Sequence, residues 1–295
     1  MKGIILAGGH GERLYPMTRA ISKQLLPIYD KPMIYYPLSV LMLMGIQEIL
    51  VITTQEDQRN FQRLLGTGEQ WGVCFTYKVQ EAPRGLAEAF LIGADFIGGE
   101  DVALILGDNL FCGIDFQREF PEITGKLDGA VICGYQVREP WDYGVIRLDP
   151  GGEPIAIEEK PKNPGSQYAV PGLYFYDHTV VEIAETIRPS SRGELEITDV
   201  NDDYLKRKKL KVHLLEEGAV WMDAGTPKSL LEAGNFIAAF QHRRGIQIGC
   251  VEEIAYRQGW IDDMQLIRLA ERYGRTEYGR YVQNLTGKGE ATWGE

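Results

Sequence analysis

GIILAGGHGERL, residues 3–14, decides the fold of this chain, because a short apolar run leads directly into a glycine-rich loop. An apolar run of this length that ends at glycine is typical of a strand buried on both faces. Similar runs recur at 48–53, 74–79 and 102–107, and helical spacing separates them at 35–44, 57–65 and 86–96. This alternation predicts an α/β fold, Rossmann-like and doubly wound, with a mixed, mainly parallel sheet between helices.

The pattern changes from about residue 130, where strand-like segments alternate with turns. Asp149-Pro150-Gly151-Gly152 is a strong hairpin signal and predicts an antiparallel extension of the sheet. Helical spacing returns at 178–188, 197–208 and 227–243, and again in a tail at Val251 to Arg257 and Asp263 to Tyr273. No linker rich in Pro, Gly or Ser interrupts the chain. We therefore expect one compact core over 1–243 and a helical C-terminal appendage over 244–295.

Composition narrows the functional classes. The 295 residues include 42 acidic and 31 basic side chains, and a net charge of -11 argues against a nucleic-acid partner. The N-terminal apolar run is too short for a signal peptide, and no stretch is long enough to span a membrane, so we expect a cytoplasmic protein. Four cysteines lack CxxC spacing, which favours buried reduced thiols over a zinc site.

The loop after the first apolar run could hold a phosphate through its backbone N–H groups. Its glycines are Gly8, Gly9 and Gly11. It is not a P-loop, since no Lys-Ser or Lys-Thr pair follows, and a dinucleotide loop would need glycine where Leu14 stands. An ordinary strand-to-helix turn is the alternative. The cations Arg13, Arg19 and Lys23 come next, and they favour a triphosphate.

Two carboxylates occupy positions suited to ligand binding. Asp108 follows the apolar run 102–106 in a Gly-Asp-Asn turn, which predicts a place at the carboxyl end of a buried strand. A turn-forming aspartate is the alternative there. Asp223, in WMDAGT, has small neighbours that allow close approach.

Seven long motifs, in order over nearly the whole chain, resemble the sugar nucleotidyltransferases, and among them the branch that transfers thymidylyl groups to glucose 1-phosphate. They are the stretch at 8–46, LILGDN at 104–109, IEEKPKNP at 157–164, YAVPGLYFYD at 168–177, RGELEITDVN at 192–201, VWMDAGT at 220–226 and EEIAYR at 252–257. The resemblance implies attack by glucose 1-phosphate on the α-phosphorus of dTTP, giving dTDP-glucose, a precursor of dTDP-rhamnose, and pyrophosphate. It also implies a homotetramer, a dimer of dimers, whose tail takes part in assembly and regulation.

The resemblance assigns roles residue by residue. It places nucleotide binding in about 1–130, sugar binding in the β extension at about 131–226, and Mg²⁺ on Asp108 and Asp223. The implied catalytic residues are Arg13, Lys23, Asp108 and Asp223. The implied nucleotide-binding residues are Gly8, Gly9, Gly11, Glu12, Arg13, Lys23, Gln24, Gln80, Pro83, Gly85 and Asp108. The implied sugar-phosphate residues are Gly144, Glu159, Lys160, Val170, Tyr174, Arg192 and Trp221. Without the resemblance, Gln80 would be taken for an exposed strand end.

Six positions depart from the pattern of that family: His10, Glu12, Arg84, Cys112, Ile114 and Pro171. His10 and Glu12 replace hydroxyl residues in the glycine loop, so Glu12 must point away from the triphosphate or join the metal site. Cys112 and Ile114 replace an aromatic ring and a histidine, which predicts weaker feedback by dTDP-rhamnose. The alternatives are a related transferase that uses UTP and a non-catalytic nucleotide-sugar sensor. The missing third glycine disfavours a Rossmann oxidoreductase.

Overall fold

The computed structural model describes residues 1–9, 11–120 and 125–287, so His10 lies outside the described residues. The strands are β1 Lys2–Ala7, β2 Pro27–Ile28, β3 Lys31–Pro32, β4 Glu48–Thr53, β5 Cys74–Val79, β6 Val102–Leu106, β7 Asn109–Cys112, β8 Ala130–Gln136, β9 Gly144–Leu148, β10 Pro154–Glu159, β11 Tyr168–Ala169, β12 Leu173–Tyr176, β13 Leu210–Leu214 and β14 Val220–Asp223.

The helices are α1 Tyr35–Leu43, α2 Gln58–Leu65, α3 Glu88–Ile92, α4 Ala94–Ile97, α5 Phe116–Glu119, α6 Val180–Thr186, α7 Ile197–Lys206, α8 Pro227–Arg244, α9 Val251–Arg257, α10 Asp263–Tyr273 and α11 Glu277–Asn284. Short 3-10 turns lie between some of these elements, including Glu12–Leu14 and Lys23–Leu25.

The main sheet joins a parallel part to an antiparallel part. Its strand order is β10-β9-β11-β8-β12-β6-β1-β4-β5, with β13 beside β8. β6, β1, β4 and β5 run parallel, whereas β12 is antiparallel to both β6 and β8. The four strands predicted in the first half of the chain are these four parallel strands, so the predicted α/β class is confirmed.

Alternate residues of β1 contribute to two hydrophobic clusters on opposite faces of the sheet. Ile5 packs with residues of α1, whereas Ile4 packs with Phe90 and Tyr176. Ile4 and Ile5 are both fully buried. Because neighbouring side chains of a strand point to opposite faces, β1 must lie between two covered layers, as its unbroken apolar run predicts.

Two local predictions are wrong. The helix expected over 86–96 is two short helices, α3 and α4, which Gly93 separates. A Cβ at Gly93 would lie 2.9 Å from the Ala89 carbonyl oxygen and 3.1 Å from Leu50, so the chain bends where it packs closely on the sheet. Cys74 is exposed at the start of the outer strand β5, whereas the three other cysteines are buried.

The C-terminal helices share the core of the sheet. Val251 of α9 and Leu266 of α10 are fully buried in the same cluster as Ile5 and α1. The predicted hairpin is confirmed, since β9 and β10 pair antiparallel around Asp149. Among the described residues, no helix combines the length and apolar character needed to cross a membrane.

Candidate active site

A cavity of about 300 Å³ opens where β1 and β6 end, between the parallel and antiparallel parts of the sheet. Carboxyl ends of parallel strands are the common ligand position in such sheets. Predicted site residues that line it are Gly9, Arg13, Lys23, Gln24, Gln80, Pro83, Gly85, Asp108, Gly144, Glu159, Lys160, Val170, Tyr174, Arg192, Trp221 and Asp223. Gly8, Gly11 and Glu12 do not line it, and Glu12 is exposed.

The glycine loop is shaped by a left-handed residue and a hydroxyl. Gly11 has φ of +65°, a conformation that costs glycine little, and it begins the 3-10 turn at Glu12–Leu14. The Thr18 hydroxyl donates to the Gly11 carbonyl oxygen at 2.7 Å. Leu14 is fully buried below the turn, whereas its neighbour Arg13 lines the cavity.

Asp108 follows β6, as predicted, and forms an ion pair with Lys23. Burial alone would raise the pKa of Asp108, but the charge and hydrogen bond of Lys23 outweigh it and lower the pKa below its usual value. The Asn109 amide also donates to Asp108 at 3.3 Å. Asp108 is therefore an ionised carboxylate with a cation already beside it.

Asp223 reaches the same place through strand pairing. β14 pairs antiparallel with β7, which sets Asp223 opposite Asn109, the neighbour of Asp108. Burial and the negative charge of Asp108 raise the pKa of Asp223 to about 6, although Arg13 and Lys23 counter part of the effect. The sequence could not show that residues so far apart in the chain would meet.

Gly225 leaves room for the Arg13 guanidinium beside Asp223. A Cβ at Gly225 would lie 2.6 Å from Arg13 Nη2 and 2.8 Å from Asp223 Oδ1. The Gly225 N–H donates to Asp223 Oδ1 at 2.8 Å. Two cations and two carboxylates thus face one end of the cavity.

Gln80 is buried, with 5% of its surface exposed, so the simple interpretation of an exposed strand end is wrong. It follows β5, and its amide nitrogen donates to Glu88 Oε2 at 2.9 Å and to the Gly85 carbonyl oxygen at 3.2 Å. Gly85 has φ of +102°, and a Cβ there would lie 2.3 Å from the Leu195 carbonyl oxygen. Glycine at 85 is thus required by contact with the Leu195 backbone.

The opposite end of the cavity carries the predicted sugar-phosphate residues. Glu159 ends β10 and pairs with Gly144 at the start of β9. Arg192 donates to Glu159 at 3.2 Å and to Glu196 at 2.8 Å, and the Thr198 hydroxyl donates to Glu159 at 2.5 Å. These bonds leave Arg192 partly exposed beside carboxylates, where an anion could also bind it.

Trp221 lines the same cavity as the aspartates and the predicted sugar-phosphate residues. Its indole N–H donates to Asn109 Oδ1 at 2.6 Å, and the same oxygen accepts from the Gly172 N–H at 3.0 Å. The Tyr143 ring packs edge-on against Trp221 at 5.0 Å. Asn109 and Tyr143, which the sequence analysis did not select, therefore position the wall of the cavity.

Asn201, also missed, lines the cavity from α7 with about 1% of its surface exposed. Its Oδ1 accepts from the Tyr176 hydroxyl at 2.6 Å, but no described residue accepts from its Nδ2. A buried donor without a partner costs free energy until something accepts from it. Its place in RGELEITDVN was the only available signal.

A second cavity, of about 440 Å³, lies between α1 and the tail and is lined by Ile114, Phe116 and Ile254. Cys112 does not line it and is buried in another cluster with Tyr36 and Ala224. Burial raises the pKa of the Cys112 thiol to about 12.

Three comparisons place this geometry among known proteins. Residues 2–239 match the family model described as nucleotidyl transferase. The glucose-1-phosphate thymidylyltransferase of Neisseria meningitidis is 51% identical over 98% of this chain and 100% of its own length. A solved structure from Bacillus anthracis, assigned as a glucose-1-phosphate thymidylyltransferase in complex with a sucrose, is 43% identical and covers 80% of this chain and 94% of its own, with a TM-score of 0.75. A UDP-glucose pyrophosphorylase complexed with UDP-glucose is 27% identical over 82% of this chain and 99% of its own, with a TM-score of 0.71.

Proposed function

The chain belongs to the nucleotidyl transferase family, and we propose that it transfers the thymidylyl group of dTTP to α-D-glucose 1-phosphate. The products are dTDP-glucose and pyrophosphate. One observation carries the proposal: a single cavity joins the Arg13, Lys23, Asp108 and Asp223 cluster to the Glu159 and Arg192 cluster. The full-length similarity to a thymidylyltransferase supports the choice of substrates.

The reaction needs two anions held together and aligned. A phosphate oxygen of glucose 1-phosphate forms the new bond to the α-phosphorus of dTTP, while the bond to the pyrophosphate oxygen breaks on the opposite side. Arg13 and Lys23 reduce the repulsion between the two anions and stabilise the charge that develops on the phosphoryl oxygens. The chain contributes mainly position and charge, so no covalent enzyme intermediate is required.

The paired carboxylates fit Mg²⁺. Asp108 and Asp223 lie close enough for one charge to raise the pKa of the other, and such a pair is stabilised by a cation between them. Residues 1–9, 11–120 and 125–287 contain no cluster of three or more metal-ligating side chains, so Mg²⁺ bound to the two aspartates would take its other ligands from water and phosphate oxygens. When bound, Mg²⁺ supplies positive charge to the phosphoryl oxygens.

The sugar end offers hydrogen-bond partners of both kinds. Glu159 can accept from sugar hydroxyls, and Arg192, which lines the same cavity, can donate. Arg192 and Lys160 supply positive charge for the sugar phosphate. Lys160 has φ of +44° and its N–H donates to the Tyr143 carbonyl oxygen at 3.0 Å, so its backbone is held in an unusual conformation at the cavity wall.

A related reaction with UTP is the second candidate. The 27% identical UDP-glucose pyrophosphorylase supports it, because that neighbour shares the same architecture. The much higher identity to a thymidylyltransferase favours dTTP.

A pyrophosphate-release assay tests the proposal with glucose 1-phosphate, Mg²⁺ and each of dTTP, UTP, CTP, ATP and GTP. We expect the highest kcat/KM with dTTP. Preference for UTP would retain the chemistry and change the nucleotide. No release with any nucleotide would discard the transferase and favour the sensor.

We also propose a homotetramer, a dimer of dimers, in the cytoplasm. Leu231 of α8 is 66% exposed and Tyr29, near the same helix, is 49% exposed, which supports burial against another copy. Substrates that are cellular metabolites, and four cysteines without disulfides, support the location. Weaker feedback by dTDP-rhamnose stays a prediction, and inhibition as strong as in a relative with the aromatic residue would contradict it.

A further inference from the structure

The Gln80 amide is held in one orientation by a carboxylate. Glu88 is 8% exposed, and its Oε2 lies 2.9 Å from Gln80 Nε2. An ionised carboxylate accepts hydrogen bonds and donates none, so it selects the NH₂ end of the Gln80 amide. The opposite rotamer would place the Gln80 carbonyl oxygen against Glu88 and is excluded by repulsion.

Both hydrogens of this amide are used within the protein. One bonds to Glu88 and the other to the Gly85 carbonyl oxygen at 3.2 Å. The carbonyl oxygen Oε1 points the other way, towards Gly8, where a Cβ would lie only 2.6 Å from it. Gln80 lines the cavity, and because both of its amide hydrogens are bonded within the protein, its side chain has only the acceptor Oε1 left for a base.

Arg84 holds the Glu88 side chain in place through an ion pair. Arg84 Nε lies 2.9 Å from Glu88 Oε1, so the two oxygens of Glu88 are divided between Arg84 and Gln80. Charge-assisted hydrogen bonds of this kind hold a side chain more firmly than neutral ones. The three residues form a chain from the protein surface, where Arg84 is 57% exposed, to the buried amide.

We propose that Arg84 and Glu88 are positioning residues that make the site select nucleoside triphosphates whose base has an N–H at N3. This inference rests on the proposed function, because it assumes that a base binds beside Gln80. Thymine and uracil have N3–H, which can donate to Gln80 Oε1. Cytosine has an unprotonated N3 that would meet the same oxygen as a second acceptor. Sites built around one hydrogen bond reject the mismatched ligand strongly.

Calorimetry with Mg²⁺ and without glucose 1-phosphate measures the Kd of dTTP, dUTP and dCTP without turnover. In Glu88→Gln the neutral side chain no longer dictates the Gln80 orientation. We expect the preference for dTTP over dCTP to fall on the order of tenfold, and the ratio of dTTP to dUTP to stay unchanged, because both carry N3–H. A purely structural role would not change base preference.

Two further variants complete the test. Arg84→Met changes an exposed side chain, so the variant should fold. We expect its preference for dTTP over dCTP to fall too, but by less than in Glu88→Gln. Glu253→Gln is the matched control, because Glu253 lies outside this cavity and has the same two kinds of partner as Glu88. It pairs with an arginine four residues away, Arg257, at 2.7 Å, and it accepts a hydrogen bond from a second side chain, the Tyr281 hydroxyl, at 2.6 Å. The control should leave both ratios at the wild-type value.

Unchanged dTTP-to-dCTP ratios in both Arg84→Met and Glu88→Gln would overturn the inference. Equal weakening of all three nucleotides would overturn it too, since Arg84 would then act only as a cation for the phosphates. Failure of the proposed transfer reaction is separate, because it appears as missing pyrophosphate release in the wild-type protein.

Discussion

Two aspartates in one cavity have opposite pKa shifts because their neighbours differ. Lys23 contacts Asp108 directly and lowers its pKa, whereas Asp223 faces the charge of Asp108 and has its pKa raised to about 6. Arg13 and Lys23 only partly offset this. The pair therefore stores electrostatic repulsion that a cation can relieve.

Asp108→Asn and Asp223→Asn should each lower kcat by about a hundredfold or more, because each removes a charge proposed to hold Mg²⁺. Pyrophosphate release at increasing Mg²⁺ concentration measures the effect. Asp128→Asn is the control, since Asp128 is exposed and pairs with Lys209 away from the cavity. Normal turnover in either aspartate variant would refute its assigned role.

Asp223→Asn should also make the metal-free protein more stable at pH 8. The pKa of Asp223 is higher in the folded state than the ordinary value, so its contribution to stability is present below about pH 4 and is lost as the pH rises through about 6. The substitution removes that loss, which is on the order of 1 to 3 kcal/mol. Urea unfolding in EDTA at pH 8 and pH 4 measures it. If the free energies of unfolding of Asp223→Asn and wild type differed by the same amount at pH 8 and pH 4, this explanation would be contradicted.

At the scale of elements, the short antiparallel pair of β7 and β14 assembles the carboxylate site. The register sets Met222 opposite Leu110 and Asp223 opposite Asn109. α8 begins immediately afterwards with a capping box, in which Thr226 and Ser229 each accept a hydrogen bond from the other's backbone N–H at 3.1 Å. The helix therefore anchors the loop that follows Asp223.

Thr226→Ala should lower the free energy of unfolding by about 1 kcal/mol and also lower kcat, because the lost cap loosens the loop after Asp223. Thr276→Ala is the matched control. Thr276 caps α11 by accepting from the Gly279 N–H at 3.0 Å, far along the chain in the tail. The control should lose similar stability and keep kcat. Equal kcat in the two variants would show that the Thr226 cap does not influence the active site.

At the scale of the molecule, a buried glutamate ties the tail to the core. Glu252 of α9 is fully buried and accepts from the Trp71 indole N–H at 3.0 Å. It also accepts from the hydroxyls of Tyr273, at 2.6 Å, and Tyr278. Because these donors come from the core and from α10 and α11, the tail and the sheet should unfold together.

Glu252→Gln should lower the free energy of unfolding by on the order of 1 to 3 kcal/mol, since the new amide N–H₂ cannot accept from these donors. Thermal and urea unfolding measure the loss. Glu271→Gln, at an exposed position of α10, is the control and should change stability little. A Glu252→Gln protein as stable as wild type would show that the network does not hold the tail.

Much of the fold was predictable, because strand burial and hairpin turns are recorded in short stretches of sequence. The unbroken apolar runs predicted β1, β4, β5 and β6, and Asp149-Pro150-Gly151-Gly152 predicted the turn between β9 and β10. The break at Gly93 was not predictable, since it depends on contact with Leu50 of the sheet.

The sequence by itself determined the strand–loop order, the residue types at the end of β6, and, through several motifs in register, the family. Only the tertiary structure decided that Asp223 lies beside Asp108, that Gln80 is buried, and that Glu88 orients its amide. The physical reason is that periodicity and turn chemistry act over a few residues, whereas these contacts join residues brought together by strand pairing and packing. Charge and hydrogen-bond direction can be assigned only once those neighbours are known.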